Sequence, residues 1–397
     1  MIKSLNVFLK GSHIGSISLL PGGAMFFSFD EEYRQDSNRP TLSQSFLSTT
    51  GELMPQSRPS SRLHPFFSNL LPEGPLRDYL VAKNNINPAR DIALLQALGE
   101  DLPGAITVSP SAGEAHSHAE PDTLSSGKSL YRFSLAGVQL KFSALLKPHG
   151  GLTLPASGIG GKWIVKLPSA SFLHVPENEY AMMTLANQVG IETPDCHLVS
   201  LEDIEGLPSL GPFQGHLALA VKRFDRGPDA TRIHMEDFAQ VYGLYPEQKY
   251  EKVSYINIAN MVWILCGEKG LTEYIRRLVF SILIGNGDMH LKNWSFLYPD
   301  GRTPVLSPAY DLLSTVPYIP KDKLALTLAK TREMRRCTES LFASLAEKAK
   351  LPKHLVLETA KETTEATREK WAQMKQDVRL DQQIIATIDQ HMKSVPL

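Results

Sequence analysis

Asp288 and Asn293 stand five positions apart in the stretch Gly285-Asn-Gly-Asp288-Met-His290-Leu-Lys292-Asn293. A carboxylate and a carboxamide at that spacing can serve phosphoryl transfer. The aspartate accepts a hydroxyl proton and the asparagine oxygen holds a magnesium ion. A second carboxylate, Asp311, follows Tyr310 after a segment that reads as a hairpin, where a further metal ligand would stand. The three side chains could assemble one site for ATP and Mg2+. The spacing alone is common in proteins, and a capped turn is its plain alternative.

The elements around the stretch favour a site. Arg276 to Ile284 is an apolar run that fits a buried helix. Gly285, Asn286 and Gly287 break it and admit unusual backbone angles. Phe296 and Leu297 then resume a strand-like pattern. Asp288 is thus expected on a loop between rigid supports, where catalytic residues concentrate.

The chain has 397 residues, enough for two or three domains or lobes. It is 42% hydrophobic and 21% charged with formal net charge −1, an ordinary globular balance that gives no support for strong direct nucleic-acid binding. Cys196, Cys266 and Cys337 are far apart and form no CxxC pair, so neither a zinc site nor a disulfide framework is expected. Reduced thiols fit a cytoplasmic protein. The N-terminus lacks the apolar core of a signal peptide. The apolar runs Met261–Cys266 and Leu278–Ile284 are too short to cross a bilayer, so no membrane association is expected.

Residues 4–29 alternate apolar runs with glycine breaks, as in a small antiparallel sheet, and residues 63–98 read as helical. Together, 1–110 form an N-terminal subdomain. Residues 111–129, rich in Ser, Gly, His and acidic types, read as a linker or long loop. From 130 to 225 strands return, over Arg132–Ser134, Lys141–Leu146, Lys162–Leu167, His197–Leu201 and Leu217–Val221. One helix interrupts them over Glu177–Gly190 and ends at its glycine. Residues 226–397 read as helical to a final amphipathic helix carrying Ile384, Ile388 and Met392.

A β-rich lobe with one helix, followed by a helical lobe, is the order of a protein kinase. The expected fold is α+β and two-lobed, with an all-helical C-terminal lobe. In that order the sheet supplies a lysine and the helix a glutamate. Lys166 lies in an apolar strand context where a cation is costly unless paired, and Glu179 on the next helix could pair with it. A lysine snorkelling from a strand edge is the alternative. No GxGxxG is present. Ser134 to Lys141 occupies the corresponding turn, where small Ala136 and Gly137 would let backbone amides approach phosphate and Lys141 would add charge. A plain hairpin turn is the other reading.

These pieces together resemble the HipA family, the serine/threonine-kinase toxins of bacterial type II toxin–antitoxin systems. The resemblance covers essentially the whole chain. It rests on the order of Phe66–Gly74, Asp101–Ala105, Phe133–Lys141, Trp163–Pro168, Glu177–Glu179, Lys222–Arg226, His234–Phe238, Gly287–Ser295 and Tyr310–Ser314. It implies a kinase that transfers the ATP γ-phosphate to a protein serine, with Asp288 as base and Asn293 and Asp311 as magnesium ligands. ATP would contact Ala136, Gly137, Val138, Gln139, Leu140, Lys141 and Lys166. Lys222, Arg223 and Phe224 would form the adenine hinge, with Asp225 near the ribose. His290, Leu291, Lys292 and Tyr310 would complete the nucleotide site. The implied target is an aminoacyl-tRNA synthetase such as the glutamyl enzyme. The implied partner is a helix-turn-helix, HipB-like antitoxin, through which alone the chain would reach DNA. Ser134 matches an autophosphorylated serine of relatives.

Two positions depart from the family pattern. Leu140 stands where an acidic residue is common, and Lys222 where the hinge often has Glu. The N-terminal region is fused here, whereas some relatives encode it as a separate antitoxin. Two other functions are weighed. A metallohydrolase would use Asp288, His290 and Asp311 as transition-metal ligands but leaves Lys166 and Glu179 unexplained. A kinase-like binding module without chemistry would not need the full set of catalytic groups.

Overall fold

The computed structural model describes residues 4–54, 58–111, 141–146, 152–154, 161–207 and 212–397. Ser134, the expected strand Arg132–Ser134, the loop residues Ala136, Gly137, Val138, Gln139 and Leu140, and the linker beyond Ser111 lie outside them.

The N-terminal strands form a four-stranded antiparallel sheet in the order Met25–Phe29, Ser12–Leu19, Ser4–Leu9, Ile106–Pro110. Burial alternates along Ser4–Leu9, so Leu5, Val7 and Leu9 face one core with Phe27, Phe66, Phe67, Leu94 and Leu95. The helices Pro65–Ser68, Gly74–Lys83 and Asp91–Leu98 cover that face.

A second, six-stranded sheet runs Cys196–Ser200, Leu217–Lys222, Trp163–Lys166, Lys141–Leu146, Leu152–Thr153, Ile204–Glu205. Leu219 is registered with Lys166, and Lys166 with Lys141. The helix Val175–Gln188 follows, and Gly190 at φ +86° lies just beyond its end. This helix does not pack with its own sheet alone. Met182, Met183 and Leu185 belong to the large core of the C-terminal helices.

That core is organised by Tyr255–Ile284, a helical run broken at Gly267 (φ 61°, ψ −154°) and opened by a Ser254–Asn257 capping box. Glu339–Ala349, Lys353–Met374 and Gln382–Ser394 pack around it. The architecture is the expected two-lobed α+β one, but the C-terminal lobe is not helical throughout. His234–Asp237, Ser295–Tyr298 and Val305–Leu306 form a three-stranded antiparallel sheet. Ser295–Tyr298 and Val305–Leu306 lie between the Asp288–Asn293 loop and Asp311; the first contains the strand-like pattern at Phe296 and Leu297, while the other strands of this sheet are too short for a period to show in sequence. Among the described residues no helix is long and apolar enough to cross a membrane.

Candidate active site

The loop carrying Asp288 is fixed by its glycines for two different reasons. Gly285 ends the long helix at φ +71°, and the Asn286 amide reaches back to the Ser281 carbonyl at 2.8 Å. Gly287 is needed for space: a Cβ there would lie 2.1 Å from the Asp322 carboxylate. The Gly287 amide donates to Thr315 Oγ1 at 2.8 Å, and Thr315 in turn hydrogen-bonds Asp322. Asp288 is then held by two bonds. Asn286 Oδ1 accepts from its amide at 3.0 Å, and Tyr250 donates its hydroxyl to Asp288 Oδ1 at 2.6 Å. Burial raises the Asp288 pKa to about 6, against the opposing Tyr250 bond and the nearby Lys249 charge.

Asn293 closes the loop by donating Nδ2 to the Asp288 carbonyl at 2.7 Å. Its Oδ1 is thereby left for a hard cation, which takes oxygen ligands. Lys166 pairs with both Glu179 and Asp311, all three largely buried, so the snorkelling alternative does not hold. Lys141 joins from the neighbouring strand, 2.8 Å from Asp311 Oδ2. Burial would raise the Asp311 pKa, but Lys141 and Lys166 hold it well below the carboxylate range. Burial would lower Lys166, yet Asp311 and Glu179 raise it. Asp311 also has φ +55°, a strained angle for a non-glycine residue and one that clusters at functional sites. An anionic carboxylate and a carboxamide oxygen on one cavity suit magnesium, which needs only one or two protein ligands.

Asp288, Asn293, Asp311, Lys166 and Tyr310 line a single cavity of about 380 Å³. Its walls are apolar at Leu70, Leu71, Ile164, Val221 and Phe224, the composition of a nucleotide-sized pocket. The hinge segment departs from expectation at its side chains. Lys222 points to solvent and pairs with Asp195 at 2.8 Å. Arg223 and Asp225 border the cavity but are spent on each other, at 3.0 and 2.9 Å. The Asp225 carboxylate also accepts from Arg226 at 2.6 Å and from the Gly104 amide at 2.8 Å. A carboxylate with four donors has little left for a ribose. Among the described residues the Phe224 amide has no partner, which leaves it for a ligand. Leu291, expected against the nucleotide, is fully buried in the helical core instead, and its amide bonds the Lys249 carbonyl at 3.2 Å.

His290 lines the cavity with Nε2 3.9 Å from Asp288 Oδ1 and its ring against Tyr250. Burial and then Lys249 and Lys292 push its pKa down to about 3, so it is neutral. Among the described residues no group of three His, Cys, Asp or Glu side chains is placed to hold a metal ion, so Asp288, His290 and Asp311 do not form the triad a metallohydrolase would need.

Four participants were not read from sequence: Tyr250, Lys249, Asn69 and Glu73. Glu73 lies 2.9 Å from Lys249 and 2.7 Å from Lys292, and Asn69 offers its carbonyl to Lys292 at 3.2 Å. The motif Phe66–Gly74 was visible, but no local pattern shows that it would reach a loop far along the chain.

Family comparison accounts for the arrangement. Residues 5–109 match the HipA N-terminal domain and residues 133–371 the HipA-like C-terminal domain. The Sinorhizobium fredii protein named "Putative kinase Y4dM" is 49% identical over 99% of this chain and 97% of its own length. The serine/threonine-protein kinase toxin HipA of Shewanella oneidensis is 28% identical over 65% of this chain and 64% of its own. A solved Shewanella oneidensis HipA, in complex with HipB and operator DNA, superposes with a TM-score of 0.76 at 22% identity. It covers 98% of this chain and 95% of that one, and so shares the fold. The chain belongs to the HipA family and is an enzyme of the kinase class.

Proposed function

We propose that this protein is a toxin kinase that transfers the ATP γ-phosphate to a serine of a protein target, and that a helix-turn-helix, HipB-like antitoxin restrains it. The observation that carries the reading is the convergence of Asp288, Asn293, Asp311 and the Lys166–Glu179 pair on one cavity. ATP bound there would supply the phosphoryl group, and magnesium would neutralise its charge. Asn293 Oδ1 and Asp311 would hold the metal, and Lys166 and Lys141 would meet the phosphates once Asp311 shares them. Asp288 orients the serine hydroxyl and accepts its proton as the oxygen takes the phosphoryl group and ADP leaves. Its raised pKa suits a base that must be ionised near neutrality yet accept a proton. The backbone of Lys222 to Phe224 would read adenine.

An aminoacyl-tRNA synthetase, such as the glutamyl enzyme, is the target class the family resemblance favours, with arrested translation as the outcome. Ser134 would be autophosphorylated, adding close to two negative charges beside a phosphate site and weakening ATP binding. Phosphoproteomics of cells expressing the wild-type or Asp288→Asn protein tests the reading. Serine phosphorylation present only with the wild type, together with growth arrest relieved by the variant, is the expected result. Identical phosphoproteomes would refute it.

A further inference from the structure

The catalytic loop does not stand on the C-terminal lobe alone. Lys292 precedes the proposed metal ligand Asn293 and ends on the N-terminal region, at Glu73 Oε1 (2.7 Å) and the Asn69 carbonyl (3.2 Å). Glu73 Oε2 takes Lys249 at 2.9 Å. Lys249 is joined to the same loop twice. Its carbonyl accepts the Leu291 amide at 3.2 Å, and its neighbour Tyr250 donates to Asp288 at 2.6 Å. One carboxylate from the turn before the helix Gly74–Lys83 therefore ties an ammonium of the loop that holds Asp288 and Asn293 to a second one beside that loop.

We propose that Glu73 is a positioning residue of the kinase reaction: by clamping Lys249 and Lys292 it sets the loop carrying Asp288 and Asn293, so that the N-terminal region completes the active site. The proposal rests on the kinase reading above. The contacts are of the strong kind. Each is a charge-assisted hydrogen bond, and both lysine side chains are at most 15% exposed. Burial would raise the Glu73 pKa, but Lys292 and Lys249 bring it down to about 2, so the clamp is ionised. Without it two like charges would lose the one carboxylate that pairs with both, and would be free to swing toward bound phosphates. Substrate binding would survive, while the alignment of Asp288 and Asn293 would not.

The test measures ADP release from ATP and magnesium by the full-length protein, with water taking the phosphoryl group in place of the target serine. Wild type must first exceed Asp288→Asn. If it does not, the kinase reading fails and this assignment falls with it. With wild type active, Glu73→Gln is expected to lower kcat about tenfold or more while KM for ATP does not rise, the pattern of misplaced chemistry with binding intact. In a Lys292→Met background the effect of Glu73→Gln should shrink by about threefold or more, since residues acting through one another are not additive. If Glu73→Gln does not fold, Glu73→Asp carries the test. It keeps the charge but is one methylene too short for both lysines, and should lower kcat about threefold at unchanged KM. An unchanged kcat, a loss expressed in KM alone, or equal effects with and without Lys292 would overturn the assignment. A rise in kcat would also overturn it, because the segment would then restrain the loop.

Discussion

Asp225 offers the sharpest measurement, because the ribose contact expected from sequence and the structural role seen in the fold predict opposite results. Asp225, Asp101, Arg223 and Arg226 form a neutral cluster of two carboxylates and two guanidiniums, each side chain between 5 and 8% exposed. Asp225→Asn keeps the shape and leaves the cluster at +1. It also turns an NH2 group either toward Arg223 Nε, at the Oδ1 position, or toward Arg223, Arg226 and the Gly104 amide, at the Oδ2 position. Breaking a buried ion pair on one side costs about 3–5 kcal/mol. Asp101 still bonds both guanidiniums, at 3.1 and 2.8 Å, so the lower end, about 3 kcal/mol, is expected. At roughly 2–4 °C per kcal/mol this is a fall in Tm of about 6–12 °C, toward the smaller value for a chain of this length.

Burial would raise the Asp225 pKa, but Arg223, Arg226 and the Gly104 amide hold it below the ordinary value. The carboxylate's contribution is therefore complete above the ordinary carboxylate pKa and is lost as pH falls through the depressed one. The gap between wild type and variant should close in acid. Circular dichroism melts at pH 7 and in the acid range, with ATP titration well below the melt, decide the matter. ATP affinity should stay within about threefold of wild type, since the carboxylate is already taken up by four protein donors. A Tm within 2 °C of wild type combined with a large loss of ATP affinity would refute the structural role and restore the ribose contact.

Asp288→Asn should lower phosphoryl transfer by about 10²–10⁴-fold while nucleotide binding survives, checked by ADP release beside ATP titration. The rate should fall as pH drops through about 6, because burial has raised the pKa of a base that works ionised. A limb near the ordinary carboxylate value of about 4 would count against Asp288 as the base. Asp311→Asn should raise the magnesium needed for half-maximal rate by about tenfold, since a hard cation prefers an anionic oxygen; an unchanged magnesium curve would remove Asp311 from the ligand set. Mass spectrometry after incubation with ATP and magnesium should find phosphate on Ser134 only with active enzyme, and Ser134→Asp should bind ATP far more weakly than Ser134→Ala.

What the sequence determined by itself is what the chain decides locally. Asp288 and Asn293 share a loop because five residues cannot separate them far. The apolar run before Gly285 fitted a buried helix, and Gly285 to Gly287 were placed to break it. Lys166 in an apolar strand is costly unless paired, and Glu179 on the following helix was the candidate partner. The strand–helix order placed these on two lobes and so gave the fold class. The tertiary structure decided everything that depends on which surfaces meet. Glu73 finds Lys249 across 176 positions and Asp101 finds Arg223 across 122, and no periodicity encodes either meeting. The same holds for direction within the loop. Whether Leu291 faced the nucleotide or the core turned on how the loop packs against the C-terminal helices, and whether the Asp225 carboxylate stayed free turned on two arginines and an amide that converge on it. Spacing fixes which groups can stand together, while burial and competing partners fix which of their atoms remain free to act.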